Sequence, residues 1–109
     1  MKKLSAIVVM VALAACSPKV YTASQADVDR MASKYPGYTL EELNKGKALF
    51  ESNCNLCHEL KKPKSYSEEK WTAVVPKMSK GVNRKKGSEV LDAAAQESIL
   101  RYVLTMRGQ

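Results

Sequence analysis

Two cysteines three positions apart, with a histidine directly behind the second, constrain this chain more than any other feature. They are Cys54, Cys57 and His58, and His58 is the only histidine in the 109-residue sequence. The spacing Cys-x-x-Cys-His is typical of covalent c-type haem attachment. Each thiol can add to one vinyl group of the porphyrin, and the adjacent imidazole is held where its nitrogen can reach the iron. We therefore expect one covalent haem c, with His58 as the proximal ligand.

Two other uses of the same residues are disfavoured. A zinc site needs four ligands, usually supplied as two separated pairs, and the sequence has no second Cys-x-x-Cys and no further histidine. A thioredoxin-like pair lies at the start of a helix within a βαβ unit, where the helix N-terminus lowers the thiol pKa. This pair instead follows a helical stretch, and nothing in the chain resembles a βαβ unit.

The N-terminus has the layout of a bacterial export signal. Lys2 and Lys3 precede an apolar run that is too short to span a bilayer. Leu13-Ala14-Ala15-Cys16 resembles the lipobox of bacterial lipoproteins, which implies cleavage before Cys16 and acylation of that residue. The alternative is an ordinary secretory signal with Cys16 near the cut. We expect a periplasmic protein held on a bacterial membrane by several acyl chains; whether that membrane is the inner or the outer one stays open.

The rest of the chain divides into a tether and one small domain. Residues 1–15 are the predicted signal peptide, residues 16–38 contain the lipid anchor, a tether and a short N-terminal helix, and residues 39–109 form the domain. We predict an all-α fold of three to five helices around the haem. No segment has the pattern of a convincing strand.

Capping residues and apolar periodicity place the helices. The first is predicted from Ser24 to Lys34, and the second opens with the capping box that begins at Thr39. Ser67 is the expected N-cap of a third helix, which carries an apolar stripe (Trp71, Val74, Val75, Met78). Pro76 is expected to kink or break its last turn, and Gly81 to end it. A basic loop then spans residues 81–87, and a final helix spans about 89–106, with Ala95, Ile99, Tyr102, Val103 and Met106 facing inward.

The formal net charge of +7 comes largely from two clusters. One follows the haem motif (Lys61, Lys62, Lys64), and the other follows the apolar stripe (Lys77, Lys80, Arg84, Lys85, Lys86). A run of charged residues is commonly just a solvent-exposed surface without a specific partner. The functional interpretation is a positive rim around an exposed haem edge that steers acidic redox partners. Nucleic acid is a poor candidate partner, because the protein is exported and lacks a binding motif.

Three methionines remain after signal removal as candidates for a distal ligand. Met106 is in helical phase with the inward residues of the last helix, so core packing explains it. Met31 lies on the N-terminal helix, upstream of the haem motif. Met78 follows His58 by 20 residues and ends the apolar stripe, but spacing alone leaves it equally a core residue. With His and Met ligands the iron would be coordinatively saturated, with a raised potential.

Taken together, these positions resemble a short class I monohaem cytochrome c. The resemblance covers about residues 39–107 and includes Gly46 and Phe50 before the haem motif, Trp71 and Pro76-Lys77-Met78 after it, and Ile99-x-x-Tyr102-Val103-Leu104 near the end. In that family a glycine and an aromatic of the first helix cross a C-terminal helix. The resemblance implies that Met78 is the distal ligand.

The chain departs from that family in two ways. A Gly-Pro pair commonly follows the haem motif there, with a backbone carbonyl that accepts a hydrogen bond from the proximal His Nδ1. This chain has Lys61-Lys62-Pro63-Lys64, so Pro63 is the candidate acceptor. The loop between His58 and Met78 is also short, which suggests an exposed haem edge. Trp71 and Tyr66 are each expected either to bond a haem propionate or to pack in the core.

The sequence thus indicates an electron carrier and no enzyme. A saturated iron passes single electrons in a respiratory or other redox chain without a substrate pocket. One alternative is a haem-bearing subunit of a larger oxidoreductase complex. The other is a five-coordinate haem enzyme or gas sensor, which would need distal acid or base groups that the sequence does not supply.

Overall fold

The computed structural model describes residues 22–54 and 60–108. These residues form four α-helices, in chain order α1 (Gln25–Arg30), α2 (Leu40–Asn53), α3 (Glu68–Lys86) and α4 (Ala93–Met106). A 3-10 turn (Pro63–Ser65) precedes α3. The described residues contain no strand, so the predicted all-α class is confirmed for this part of the chain. None of their helices is long and apolar enough to cross a membrane.

The predicted N-caps are confirmed at three helices. At α2, the Glu42 N–H donates to Thr39 Oγ1 at 3.2 Å, and Glu42 Oε2 accepts from the Thr39 N–H at 3.0 Å. Ser67 Oγ accepts from the Lys70 N–H at 3.1 Å at the start of α3. Ser24 caps α1. These bonds satisfy N–H groups that the first turn of a helix otherwise leaves without partners.

Helix α4 is the centre of the core. It contacts every other helix and the 3-10 turn. Its last turn is buried on all sides, since the five residues from Tyr102 to Met106 are each less than one-tenth exposed, and Ile99 is buried one turn earlier. Each large apolar side chain buried in this way stabilises the fold by about 1.5–3 kcal/mol. The inward set predicted for this helix is confirmed, except that Ala95 is only half-buried.

Helices α2 and α4 cross at Gly46. A Cβ atom at this position would lie 2.2 Å from the Ser98 carbonyl oxygen and 2.8 Å from Tyr102 Cβ. Only a residue without a side chain allows the two backbones to come this close. One turn later, the Phe50 ring meets the Tyr102 ring at a centroid distance of 5.5 Å. The glycine-and-aromatic crossing expected from the resemblance is therefore present.

Helix α3 corrects the sequence prediction. It continues through Pro76 and Gly81 to Lys86, so there is no basic loop over residues 81–87. Pro76 is tolerated because it and Thr72 lie on the exposed side, where water can satisfy the carbonyl that loses its helical partner. The helix ends at Gly87, which has φ +71° in the left-handed region.

Two interactions offset the loss of helix stability that Gly81 causes within α3. Val82 is 2% exposed and so adds buried apolar surface beyond the glycine. Asn83 then holds the next loop: its Oδ1 accepts from the Leu91 N–H at 2.8 Å, and its Nδ2 donates to the Leu91 carbonyl at 3.0 Å. The last helix consequently begins at Ala93 and not near residue 89.

Helix α1 is shorter than predicted and is bound to the end of α4. It stops at Arg30, and residues 31–37 form turns. Arg30 Nη2 donates to the Thr105 carbonyl at 2.8 Å, while Nη1 pairs with Asp27 at 3.1 Å. The Asp27 carboxylate is 2% exposed, so this pairing compensates a buried charge. The short N-terminal helix predicted within residues 16–38 is therefore folded onto the domain.

Alanine at Gly46 tests the helix crossing. We expect Gly46→Ala to lower the free energy of unfolding by about 1–3 kcal/mol or more, because the added carbon overlaps backbone atoms of α4 that cannot move aside. Gly81→Ala is the matched control, since a Cβ there meets nothing within 4 Å. That control should be neutral or stabilising by up to about 1 kcal/mol. Denaturant unfolding followed by circular dichroism measures both, and equal stability of the two variants would contradict the crossing.

Candidate functional site

Cys54 is the one member of the haem motif that lies within the described residues. It is the C-cap of α2, and its N–H donates to the Phe50 carbonyl at 3.0 Å. Its side chain belongs to the core cluster and the residue is 7% exposed. The α2–α4 crossing therefore holds the first thiol against the core.

The surroundings of Cys54 keep its sulfur neutral. Burial raises the pKa of this thiol to about 11, from 9.0 in water. The position at the C-terminal end of a helix also disfavours a negative charge, because the helix dipole places partial negative charge there. A thioredoxin-like cysteine needs the opposite setting, with a lowered pKa. A thioether, which is uncharged at any pH, suits this site.

Three predicted site residues lie outside the described residues. They are Cys57 and His58 of the haem motif and the proposed lipidation site, Cys16. Their roles stay predictions from the sequence. Among residues 22–54 and 60–108, no three His, Cys, Asp or Glu side chains come together as a candidate metal site.

The segment that follows the haem motif is fixed by Trp71. The indole Nε1–H donates to the Pro63 carbonyl at 2.8 Å, and both residues are buried. Trp71 is 0% exposed, so core packing is its observed role and its N–H bonds to the protein backbone. A carbonyl oxygen can accept a second hydrogen bond. Pro63 therefore keeps the capacity to accept a second hydrogen bond, which is the role for which it is the candidate.

An aromatic cluster connects this segment to the helix crossing. The Tyr66 ring meets Trp71 at 4.8 Å and the Phe50 ring meets Trp71 at 5.9 Å, both edge to face. Tyr66 is half-buried, and its carbonyl accepts from Arg107 Nε at 2.7 Å. Such pairs stabilise by about 0.5–1.5 kcal/mol each beyond area burial. The segments before and after the haem motif thus pack against one group of aromatic rings.

Met78 lies within α3 and not after its end. It is half-buried and packs against the core cluster, on the side of the helix that also carries Trp71 and Val75. Met106, by contrast, is 0% exposed within the core, as predicted. Met31 is the half-buried C-cap of α1. Of the three candidates, Met78 is the one that combines partial exposure with a place on the inward face of the helix after the haem motif.

The residues present are chemically suited to a haem. The core leaves several apolar side chains only partly buried, among them Leu49, Leu60 and Met78. These side chains offer apolar contact to a porphyrin, and burial keeps the Cys54 sulfur of the same core neutral. A thioether sulfur is also a known axial donor to haem iron. The donor set and its apolar setting therefore fit the group that the motif predicts.

Sequence reasoning missed the true end of α3 and hence the setting of Met78. The available signal was Gly87, which follows three basic residues (Arg84, Lys85, Lys86) that suit the negative end of a helix. Gly81 gave the misleading signal, because a glycine inside a helix is unfavourable on its own. The Asn83–Leu91 bonds that offset it join residues whose pairing no local pattern predicts.

The Trp71–Pro63 bond can be tested by substitution. We expect Trp71→Phe to lower the free energy of unfolding by about 2–4 kcal/mol, because the buried Pro63 carbonyl loses its donor and the smaller ring leaves a void. Tyr66→Phe keeps the neighbouring ring contact and should change stability by no more than about 0.5 kcal/mol. Circular dichroism is the suitable probe, since the variant lacks the only tryptophan. Similar losses in both variants would contradict the role given to this bond.

No family model matches the chain, and neither a curated protein nor a solved structure is significantly similar to it.

Proposed function

We propose that this chain is a lipid-anchored, extracytoplasmic monohaem c-type cytochrome that carries single electrons in a respiratory or other redox chain. Cys54 and Cys57 attach the haem, His58 and Met78 ligate its iron, and Cys16 carries the lipid. The finer fold assignment, a small class I cytochrome c, belongs to this proposal. It is an electron-transfer protein and not an enzyme.

The observation that carries the proposal is the Cys-x-x-Cys-His motif, whose first cysteine is the C-cap of α2. Cys54 is buried beside the aromatic cluster, and the crossing at Gly46 sets its position. A neutral, buried sulfur at a helix C-terminus supports thioether attachment over thiolate chemistry. The close glycine crossing of α2 and α4 agrees with the helix pair expected in class I cytochromes.

The proposed ligands explain why the chain would act as a carrier. When bound, the haem supplies an iron that alternates between two oxidation states, with its potential set by axial ligands, burial and hydrogen bonds. His58 and Met78 would be the residues that hold the iron, so no coordination position would be left for a substrate. The packing of Met78 against the core limits its movement on electron transfer.

Removing the Met78 thioether tests the ligand assignment. We expect Met78→Ala to give a high-spin or adventitiously ligated haem, to abolish the methionine-to-iron band of the oxidised protein, and to lower the potential by on the order of 100 mV or more. Met31→Leu and Met106→Leu are the controls and should keep the band. An unchanged spectrum in Met78→Ala would exclude this ligand. Rapid binding of carbon monoxide by the wild-type ferrous protein would instead favour a five-coordinate enzyme or sensor.

The lysines after the haem motif are proposed to steer acidic redox partners. Lys61, Lys62 and Lys64 are exposed and follow His58 closely in the chain. We expect the triple change to glutamine to slow oxidation of the reduced protein by ferricyanide several-fold, because attraction of the anionic reagent is weakened. The wild-type rate should also fall steeply as salt rises. Stopped-flow absorbance measures both.

The matched control removes three cations from α3 (Lys77→Gln, Lys80→Gln, Arg84→Gln), so the net charge changes equally. It should leave the ferricyanide rate within about twofold, since these side chains lie on the far side of α3 from Met78. A salt-independent rate in the wild type, or equal slowing in both triple variants, would remove this steering role.

A further inference from the structure

The corrected course of α3 places three of its cations on one helix face. Lys77, Lys80 and Arg84 follow the spacing i, i+3, i+7, which puts them on a common side of a helix. All three are exposed, while the opposite side buries Trp71 and Val75. We call these three residues the α3 cationic face.

The two carboxylates of α3, Glu68 and Glu69, lie in its first turn, about two turns before the α3 cationic face begins. The sequence has no Asp or Glu between Lys70 and Ser88. The ion pairs found among the described residues involve other cations, namely Arg30, Lys34, Lys47 and Arg101. The face therefore presents three uncompensated charges along about 10 Å of helix.

This face points away from the proposed distal ligand. Successive residues of an α-helix are rotated by about 100°. Lys77, Lys80 and Arg84 therefore lie about 100–160° around α3 from Met78. A partner that docks at the haem edge beside Met78 would not meet them. The positive rim that the sequence predicts around the haem edge is thus divided between two surfaces. The α3 cationic face needs a different partner from the lysines that follow His58.

The chain leaves the domain towards its proposed anchor at the end where α3 begins. Lys34, which follows α1, pairs with Glu68 in the first turn of α3. Arg30 holds α1 to the Thr105 carbonyl at the end of α4, and Arg107 bonds the Tyr66 carbonyl close by. Ser24 follows Cys16 by eight positions, which is at most about 28 Å of extended chain. A lipid at Cys16 would therefore hold this end of α3 near the bilayer.

We infer that the α3 cationic face lies against the anionic headgroups of the bilayer that carries the lipid anchor. The orientation rests on the acylation of Cys16 that forms part of the proposed function. Each lysine or arginine near an anionic membrane surface strengthens the attraction of the protein to that surface. A lipid anchor holds a protein more stably on the membrane when a basic patch binds the headgroups as well. The domain would lie on the membrane along α3 and leave the side of α3 that carries Met78 free for redox partners.

The composition of the face favours lipid over protein. The exposed residues that precede the cations on the same side of α3, Ala73 and Pro76, are small, and neither is a large aromatic or aliphatic side chain. Protein interfaces usually centre on buried aromatic or arginine anchors seated in pockets. Contact with headgroups needs only charge on a smooth surface.

Vesicle binding tests the inference with the complete mature holoprotein, exported behind a non-lipoprotein signal so that it has no acyl chains. We expect co-sedimentation with phosphatidylcholine vesicles that contain phosphatidylglycerol, weakening as salt rises, and none with phosphatidylcholine alone. The triple variant Lys77→Gln, Lys80→Gln, Arg84→Gln should bind roughly 100-fold more weakly. The control triple at Lys61, Lys62 and Lys64 removes the same charge and should stay within a few-fold of wild type.

Three outcomes would overturn the inference: no binding by the wild type, no loss in the α3 variant, or equal losses in both triples, which would reduce the effect to net charge. If the vesicles fail to bind but the α3 variant alone slows electron exchange with an acidic redox protein, the face docks protein. The haem spectrum is recorded in the same samples. A chain without covalent haem would refute the proposed function, and the vesicle result would still decide this inference. A normal haem spectrum without vesicle binding would refute only the inference.

Discussion

The close contact between α2 and α4 at Gly46 is the constraint on which the rest of the structure depends. With 2.2 Å between a hypothetical Cβ and the Ser98 carbonyl oxygen, no side chain fits at this crossing. The contact brings Phe50 onto Tyr102 and so fixes the end of α2, where Cys54 enters the core. The first thiol of the haem motif is therefore positioned by a backbone contact two turns away. Local propensity alone would not hold it there.

The aromatic cluster connects the end of α2 to the segment that follows the haem motif. Phe50, Trp71 and Tyr66 form a continuous set of edge contacts, and the Trp71 indole holds the Pro63 carbonyl on the far side of the motif. Both flanks of the predicted attachment site thus pack against the same rings. In the proposed cytochrome, this arrangement keeps the polypeptide rigid around the cofactor, which favours electron transfer with little rearrangement.

Local sequence patterns predicted the helices whose ends have strong capping signals. Thr39 and Ser67 identified the starts of α2 and α3, and the periodicity of Ile99, Tyr102 and Val103 identified the buried side of α4. The predicted end of α3 was wrong, because the true end depends on tertiary contacts that no local pattern predicts, above all the pairing of Asn83 with Leu91. The same error placed Met78 at a helix end and Arg84, Lys85 and Lys86 in a loop. Of the candidate site, burial of Cys54 is now described, whereas attachment through Cys57 and ligation by His58 stay predictions from spacing.

The most direct test of the central claim is the intact mass of the purified mature protein, matured in a host that attaches c-type haem, together with its oxidised and reduced absorption spectra. The account predicts one haem added covalently to the polypeptide, a c-type reduced spectrum, and loss of both when Cys54 and Cys57 are changed to alanine. A colourless protein with the mass of the bare or merely acylated chain would contradict it.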